Sequence, residues 1–310
     1  MIDRQSSEYL TAKEKALKNA RLIRAANAMV SVSGTRHKLP LEGRLIDIVF
    51  YKAPEQNAPL IIGYHGGGFL YGGCALDDTL WPEITKALNV NVASIGYRQS
   101  PDNDWRVSLA DAYESALYLA DHADEFDFDP AHVSVMGQSA GANLAASVSL
   151  LAVKNKTLNL DNQILVYPLL DFYTDSASKG DGTYSGVRSY VMDDMHIAFE
   201  DRKNPFASPF YATDEMIKGL PKAIFVFAEY DNLTKEGRAY KKRLEDAGVK
   251  TCERFNPGMP HGFFECGFKK RVTPIEKEFL GENAEEIIKD GSMEKAAVDT
   301  INYIKKEFIK

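Results

Sequence analysis

Gly137-Gln138-Ser139-Ala140-Gly141 follows the apolar run 132–136 and opens a helical stretch that contains Leu144, Val148 and Leu151. A serine at a sharp turn between a strand and a helix projects its hydroxyl above the edge of a sheet, and small neighbours let the backbone make that turn. The helix also directs its first backbone amides, with their partial positive charge, toward the same point. The five letters alone occur by chance, but their context predicts a nucleophilic serine at position 139.

Short apolar runs alternate with amphipathic stretches on both sides of this turn. The runs predict strands at residues 45–51, 60–64, 90–97, 132–136, 163–167, 223–228 and 251–255. Helical periodicity covers residues 6–30, 80–89, 105–121, 140–153 and 235–247. Strands that alternate with helices imply crossover connections. The predicted fold class is therefore α/β, with a mostly parallel central sheet flanked by helices.

One connection is much longer than a crossover needs. About fifty residues separate Asp171 from the next strand, near Ala223, and they include a helical piece around 191–201. An insertion after the carboxyl end of a strand lies on the face where α/β proteins bind ligands. We expect a cap formed by residues 1–42 and 172–218 over a catalytic core of 43–171 and 219–310. The alternative is that the insertion is a surface loop with no role at the site. Cap residues Tyr184, Tyr190, Met192, Met195 and Phe199 could line a pocket or pack within the cap.

A glycine-rich loop, His65-Gly66-Gly67-Gly68-Phe69, follows the predicted strand 60–64. Consecutive glycines allow a turn whose amides point at one spot with no side chain in the way. Acyl transfer needs such donors for the developing oxyanion, and each is typically worth about 2.7–4 kcal/mol. The alternatives are a flexible loop or a phosphate-binding turn, although neither Lys-Ser/Thr nor GxGxxG spacing is present. We expect His65 to fix the loop rather than to act as a base.

The base and the acid must come from other strand ends. Of six histidines, His261 lies just beyond the strand 251–255, in a loop rich in glycine and proline. The acid is expected between serine and histidine in chain order. Asp231 follows the strand 223–228 and is the preferred candidate, with Glu229 and Asp171 as alternatives. A carboxylate in this position orients the imidazole and stabilises the imidazolium.

Composition excludes several classes of protein. The 310 residues carry a net charge of −7, which disfavours nucleic acid or an anionic membrane as the main partner. No apolar run approaches the roughly 18 residues of a membrane span, and the polar N-terminus predicts no signal peptide. Three cysteines without a CxxC pair predict reduced thiols. These features predict a soluble cytoplasmic protein without stable membrane insertion.

Several motifs together resemble the hormone-sensitive lipase family of α/β-hydrolases, mainly its bacterial esterases. The resemblance runs from about residue 60 to 265 and rests on His65–Phe69, Tyr97-Arg98 with Ser100-Pro101, 137–144, Tyr167-Pro168, Ser208-Pro209, Asp231-Asn232-Leu233 with Glu236-Gly237, 247–249 and His261-Gly262-Phe263. It implies an α/β-hydrolase fold with a helical cap, a triad of Ser139, Asp231 and His261, and an oxyanion hole from the amides of Gly67, Gly68 and Ala140.

The implied activity is hydrolysis of a small-molecule carboxylic ester through an acyl-enzyme, with short- to medium-chain acyl groups. No metal or organic cofactor is required, and a homodimer is among the states that the resemblance allows. Gln138, where the family usually has an acid, Ala142, where a glycine is common, and the acidic extension beyond Phe268 depart from the family pattern. Two alternatives remain: a non-catalytic ligand-binding protein on the same scaffold, and an amidase or peptidase.

Overall fold

The computed structural model describes residues 2–180, 182, 185–273, 276–277, 280–281 and 284–308. Their centre is an eight-stranded sheet in the order β1-β2-β4-β3-β5-β6-β7-β8. The strands are β1 (Thr35–Leu41), β2 (Arg44–Tyr51), β3 (Ala58–Tyr64), β4 (Asn91–Ile95), β5 (Phe128–Gln138), β6 (Leu160–Val166), β7 (Lys222–Tyr230) and β8 (Thr251–Pro260). β1 and β2 run antiparallel to their neighbours, and the other pairs are parallel. The predicted α/β fold class is confirmed.

Helices cover both faces of the sheet. The helices are α1 (Ser7–Met29), α2 (Trp81–Leu88), α3 (Trp105–Asp121), α4 (Ala123–Phe126), α5 (Ala140–Asn155), α6 (Gly186–His196), α7 (Asp214–Ile217), α8 (Thr234–Asp246), α9 (Phe263–Cys266), α10 (Ala284–Lys289) and α11 (Ser292–Glu307). One hydrophobic core joins the sheet to α3, α5 and α8, and a second joins it to α2 and α11. The central strands β3, β4, β6 and β7 are buried almost throughout, which is why they appear in the sequence as continuous apolar runs.

The sheet has one strand that the sequence pattern did not indicate. β1 lies within residues 1–42, the segment expected to belong to the cap, and pairs with β2 from Thr35↔Phe50 to Leu41↔Arg44. Most of its residues are exposed, and Pro40 stands near its end. Such a polar edge strand protects the sheet from pairing with another chain, but it lacks the apolar run that identifies a strand.

A separate small hydrophobic cluster joins α1 to the long insertion. Ala16 and Ala20 of α1 pack with Val191 and Met192 of α6, and Tyr71 contributes from the loop after β3. The guanidinium of Arg4, just before α1, donates to both oxygens of Asp194 in α6, at 2.6 and 3.0 Å, and adds a polar link between the N-terminal segment and the insertion. Within the described ranges, no helix has the length and apolar character that crossing a bilayer requires.

Candidate active site

Ser139 occupies the turn between β5 and α5, with φ 53° and ψ −115°. This left-handed conformation is uncommon for a residue with a side chain, and such strain concentrates at functional positions. The two flanking glycines are needed sterically. A Cβ on Gly141 would lie 1.9 Å from the carbonyl oxygen of Tyr64, and a Cβ on Gly137 would lie 2.2 Å from the Gly141 backbone. The turn is held by a 2.9 Å hydrogen bond from the Ser139 amide to the Val166 carbonyl.

His261 and Asp231 form a buried pair at the ends of β8 and β7. His261 Nδ1 lies 2.7 Å from Asp231 Oδ2, and the Asp231 side chain is completely buried. The other carboxylate oxygen, Oδ1, accepts the Leu233 amide at 3.0 Å, so the carboxylate is held on both sides. The rival acids hold backbone amides instead: Glu229 accepts from Gly258, and Asp171 accepts from Tyr173 and Thr174.

The glycine-rich loop follows β3 and packs beside the serine turn. Gly67 and Gly68 have φ values of 107° and 61°, and a Cβ on Gly67 would lie 2.3 Å from the Tyr71 carbonyl oxygen. The hydrogen bonds of the described residues leave the amides of Gly67 and Gly68 without an acceptor. Ala140 is the first residue of α5, so its amide lacks an intrahelical acceptor. These three amides are therefore available to an anionic oxygen.

His65 is fixed inside this loop. Its ring is fully buried, stacks on Tyr97 with centroids 4.4 Å apart, and donates from Nδ1 to the Gly66 carbonyl at 2.6 Å. Burial lowers the pKa of His65 to about 4, because the charged imidazolium would lose its hydration. The expectation that His65 stabilises the loop is confirmed.

Ser139 and His261 line one cavity of about 510 Å³. Gly66, Gly67 and Tyr71 form the wall on the side of the glycine-rich loop. Apolar side chains of α1 form another part of the wall: Leu22, Ile23 and Ala26, with Val30 beyond the helix end. The chain thus brings the predicted serine and histidine to a single cleft, a common arrangement for small-molecule sites.

The cavity lining also includes charged residues that sequence reasoning missed. They are Asp77, after the glycine-rich loop, Glu265 in α9, and Lys269 and Glu276 in the following segment. The Tyr167 hydroxyl donates to Glu265, and Lys269 Nζ lies 2.6 Å from Glu276 Oε1. Burial, together with the neighbouring charge of Asp77, raises the pKa of Glu265 to about 8. No local sequence pattern predicts this cluster, because Asp77 lies far along the chain from Glu265, Lys269 and Glu276, and the four residues come together only in the folded structure.

The insertion contributes packing around the loop rather than charge at the site. His196, in α6, stacks on Phe69 with centroids 3.8 Å apart and lies 3.0 Å from the Ser100 hydroxyl. Burial lowers the pKa of His196 to about 3. Met192 packs in the cluster with α1, Tyr190 and Met195 pack at its edge, Phe199 is exposed, and Tyr184 lies outside the described residues.

Comparison with known proteins identifies the family. A family model described as alpha/beta hydrolase fold matches residues 61–265. The arylesterase of Saccharolobus solfataricus is 32% identical over a 240-residue alignment that covers 73% of this chain and 75% of that protein. The ethyl acetate hydrolase of Pseudomonas putida is 26% identical over a 242-residue alignment that covers 73% of this chain and 74% of that protein.

A solved structure agrees with these relatives. The thermostable esterase from Pseudomonas putida aligns with a TM-score of 0.74 and 26% identity, covering 93% of this chain and 90% of that one. Among the described residues, no group of three or more side chains is arranged to hold a metal ion. The match to residues 61–265 covers more than half of the sequence, and the chain therefore belongs to the α/β-hydrolase fold family, in the branch of the hormone-sensitive-lipase-like esterases.

Proposed function

We propose that this protein is a serine carboxylesterase that hydrolyses short- to medium-chain acyl esters through an acyl-enzyme intermediate. The observation that carries the proposal is the strained turn at Ser139 opening into the same cavity as His261, which is paired with Asp231 at 2.7 Å. The esterase names of the relatives support the same reaction class. Both together favour an ester hydrolase over the alternatives.

In the proposed cycle, His261 Nε2 takes the proton of Ser139 as its Oγ attacks the ester carbonyl. Asp231, bonded to Nδ1, fixes the tautomer that leaves Nε2 free and stabilises the imidazolium. The amides of Gly67, Gly68 and Ala140 donate to the oxyanion. His261 then protonates the leaving alkoxide, and a water molecule activated by the same imidazole releases the acid.

The size of the cavity agrees with a small ester. Its volume of about 510 Å³ lies in the range typical of sites for small molecules. One relative is named for ethyl acetate, whose acyl group has two carbons. We therefore expect kcat/KM to be highest for acetyl to hexanoyl p-nitrophenyl esters and to fall for longer chains; a maximum at palmitate would overturn the acyl-length proposal.

We further propose that α1 and the segment 172–218 act as a cap on a catalytic core formed by 43–171 and 219–310. Support comes from the cluster of Ala20 with Val191 and Met192, and from the α1 side chains Leu22 and Ile23 in the cavity wall. Because β1 is paired in the sheet, the N-terminal part of this cap ends before Thr35. A homodimer and a cytoplasmic location remain predictions. Light scattering on the purified protein tests the first by measuring its molar mass in solution.

The test is the Ser139→Ala variant with p-nitrophenyl acetate and butyrate. Hydrolysis should fall by a factor on the order of 10⁴ or more, while Ser178→Ala, an exposed serine on the insertion, should retain native activity. Undiminished hydrolysis by Ser139→Ala would overturn the proposal. Turnover of matched amide and ester substrates separates an esterase from an amidase, because the amide should react far more slowly in an esterase.

A further inference from the structure

One carboxylate in the cavity wall has no hydrogen-bond partner. Asp77 is only 1% exposed and lines the same cavity as Ser139 and His261. Within the described part of the chain, neither of its oxygens accepts a hydrogen bond. Buried polar groups are nearly always satisfied, and a carboxylate left without donors in an apolar surrounding carries a substantial desolvation penalty. Asp77 is therefore a buried carboxylate in the cavity wall whose hydrogen-bonding capacity the described residues leave unused.

The charges around Asp77 leave an excess of negative charge. Glu265 and Glu276 face the same region, and Lys269 is the cation there. Lys269 is paired with Glu276 at 2.6 Å, so in the described part of this region one lysine faces three carboxyl groups, those of Asp77, Glu265 and Glu276. Among the described residues, His261 lines the same cavity, and its imidazole is paired with Asp231 rather than with this cluster. The other titratable groups beside the cluster include Cys266, Tyr97 and Tyr167. None of them supplies a positive charge.

The raised pKa values of Asp77 and Glu265 agree with this excess of carboxyl groups over cations. Burial raises the pKa of Asp77 to about 6, and Lys269 opposes the shift. Burial and the neighbouring charge of Asp77 raise the pKa of Glu265 to about 8. Two adjacent carboxyl groups that resist ionisation are stabilised as anions when a cation binds between them or beside them. A neutral apolar group in the same place would leave their oxygens unpaired.

We propose that Asp77, assisted by Glu265, binds a protonated amine on the substrate, so that the preferred substrates are esters carrying an ammonium group. The inference rests on the proposed esterase function and names a substrate class for that site. The ammonium N–H donates to the open Asp77 carboxylate, and its charge compensates the excess negative charge of the wall. The apolar side chains of α1 contact the rest of the molecule.

The experiment compares esters that differ only in this group. 2-(Dimethylamino)ethyl acetate is paired with 3-methylbutyl acetate, in which a carbon replaces the nitrogen, and homologous pairs with one and two further methylenes vary the reach. At about pH 8 we expect kcat/KM of at least one amine to exceed that of its carbon partner about tenfold or more, the size of one hydrogen bond to a charged group. The ratio of kcat/KM for the amine ester to kcat/KM for its carbon partner should fall toward about pH 5, because Asp77 then becomes protonated.

Asp77→Asn should bring the ratio close to one, and Asp124→Asn, which removes the same charge from an exposed position on α4, should leave the ratio at its native value. The pH dependence in the native protein tests the same carboxylate without any substitution. A ratio near one at every chain length, a ratio that survives Asp77→Asn, or an equal gain for the neutral 3-hydroxy-3-methylbutyl acetate would overturn the inference.

These outcomes are distinct from a failure of the proposed function. If the native protein hydrolyses p-nitrophenyl acetate and the carbon esters but shows no preference for amines, the esterase stands and the ammonium site is wrong. If no ester is hydrolysed, the proposed function is wrong and the inference falls with it.

Discussion

Asp231→Asn tests the His261 pair in depth, because it changes the chemistry of the carboxylate while keeping its shape. In the native protein, Asp231 Oδ1 accepts the Leu233 amide at 3.0 Å and Oδ2 faces His261 Nδ1 at 2.7 Å. The Leu233 amide will retain the oxygen of the new side chain, so the new NH₂ group must face Nδ1. Two donors cannot share one hydrogen bond, and the imidazole proton therefore moves to Nε2.

An imidazole protonated at Nε2 cannot take the proton of Ser139. The loss of kcat for a carboxylate-to-amide change in such a triad is about 10⁴-fold, equivalent to a barrier raised by about 5 kcal/mol. The assay is kcat for p-nitrophenyl acetate near neutral pH, with the unfolding midpoint measured in parallel and Asp124→Asn as the matched charge control. A kcat within tenfold of native in a folded Asp231→Asn protein would refute the assigned role of Asp231.

Two further predictions concern packing and pH. Gly141→Ala should destabilise the protein by about 1–3 kcal/mol and abolish most esterase activity, since its Cβ would lie 1.9 Å from the Tyr64 carbonyl oxygen; urea unfolding with native m-value and midpoint would contradict this. Glu265→Gln should make the free energy of unfolding less dependent on pH than it is in the native protein. A carboxyl group whose folded pKa is raised, here to about 8, contributes stability that is complete below its unfolded pKa and is lost as pH rises through the folded value. The stability of the native protein relative to Glu265→Gln should therefore fall from about pH 5 to about pH 8, and parallel curves from urea unfolding at each pH would contradict the buried-carboxyl assignment.

The sequence predicted best the features that depend on short stretches of chain. Buried parallel strands carry continuous apolar runs, so β3, β4, β6 and β7 lie at nearly their predicted positions, whereas the predicted runs 132–136 and 251–255 cover only about half of β5 and β8. Because the carboxyl ends of parallel strands meet at one edge, the loops that follow them hold His65, Ser139, Asp231 and His261 close together. The order of strand and loop was enough to nominate these residues.

The sequence did not indicate features that depend on tertiary contacts. β1 is an exposed edge strand, so its stability comes from pairing with β2 rather than from an apolar run. Asp77, Glu265 and Lys269 are ordinary charged residues in sequence and become unusual only through burial in a shared cavity wall. The segment beyond Phe268, whose role the sequence left open, supplies Lys269 and Glu276 to that wall.

Gln138 is a second feature that the sequence does not explain. Its side chain is fully buried beside Ser139, and neither its amide nitrogen nor its carbonyl oxygen has a hydrogen-bond partner among the residues described. The resemblance to the family implies an acidic residue at this position. Nothing in the surrounding structure explains the substitution.

Covalent labelling of the native protein tests the central claim most directly. After treatment with a fluorophosphonate, peptide mass mapping should find one phosphonyl group on the peptide that contains Ser139, with loss of p-nitrophenyl acetate hydrolysis in proportion to labelling. The same treatment of Ser139→Ala should give no adduct. Stoichiometric labelling at a different residue, or full hydrolytic activity in a protein that does not label at Ser139, would contradict the assignment of Ser139 as the nucleophile.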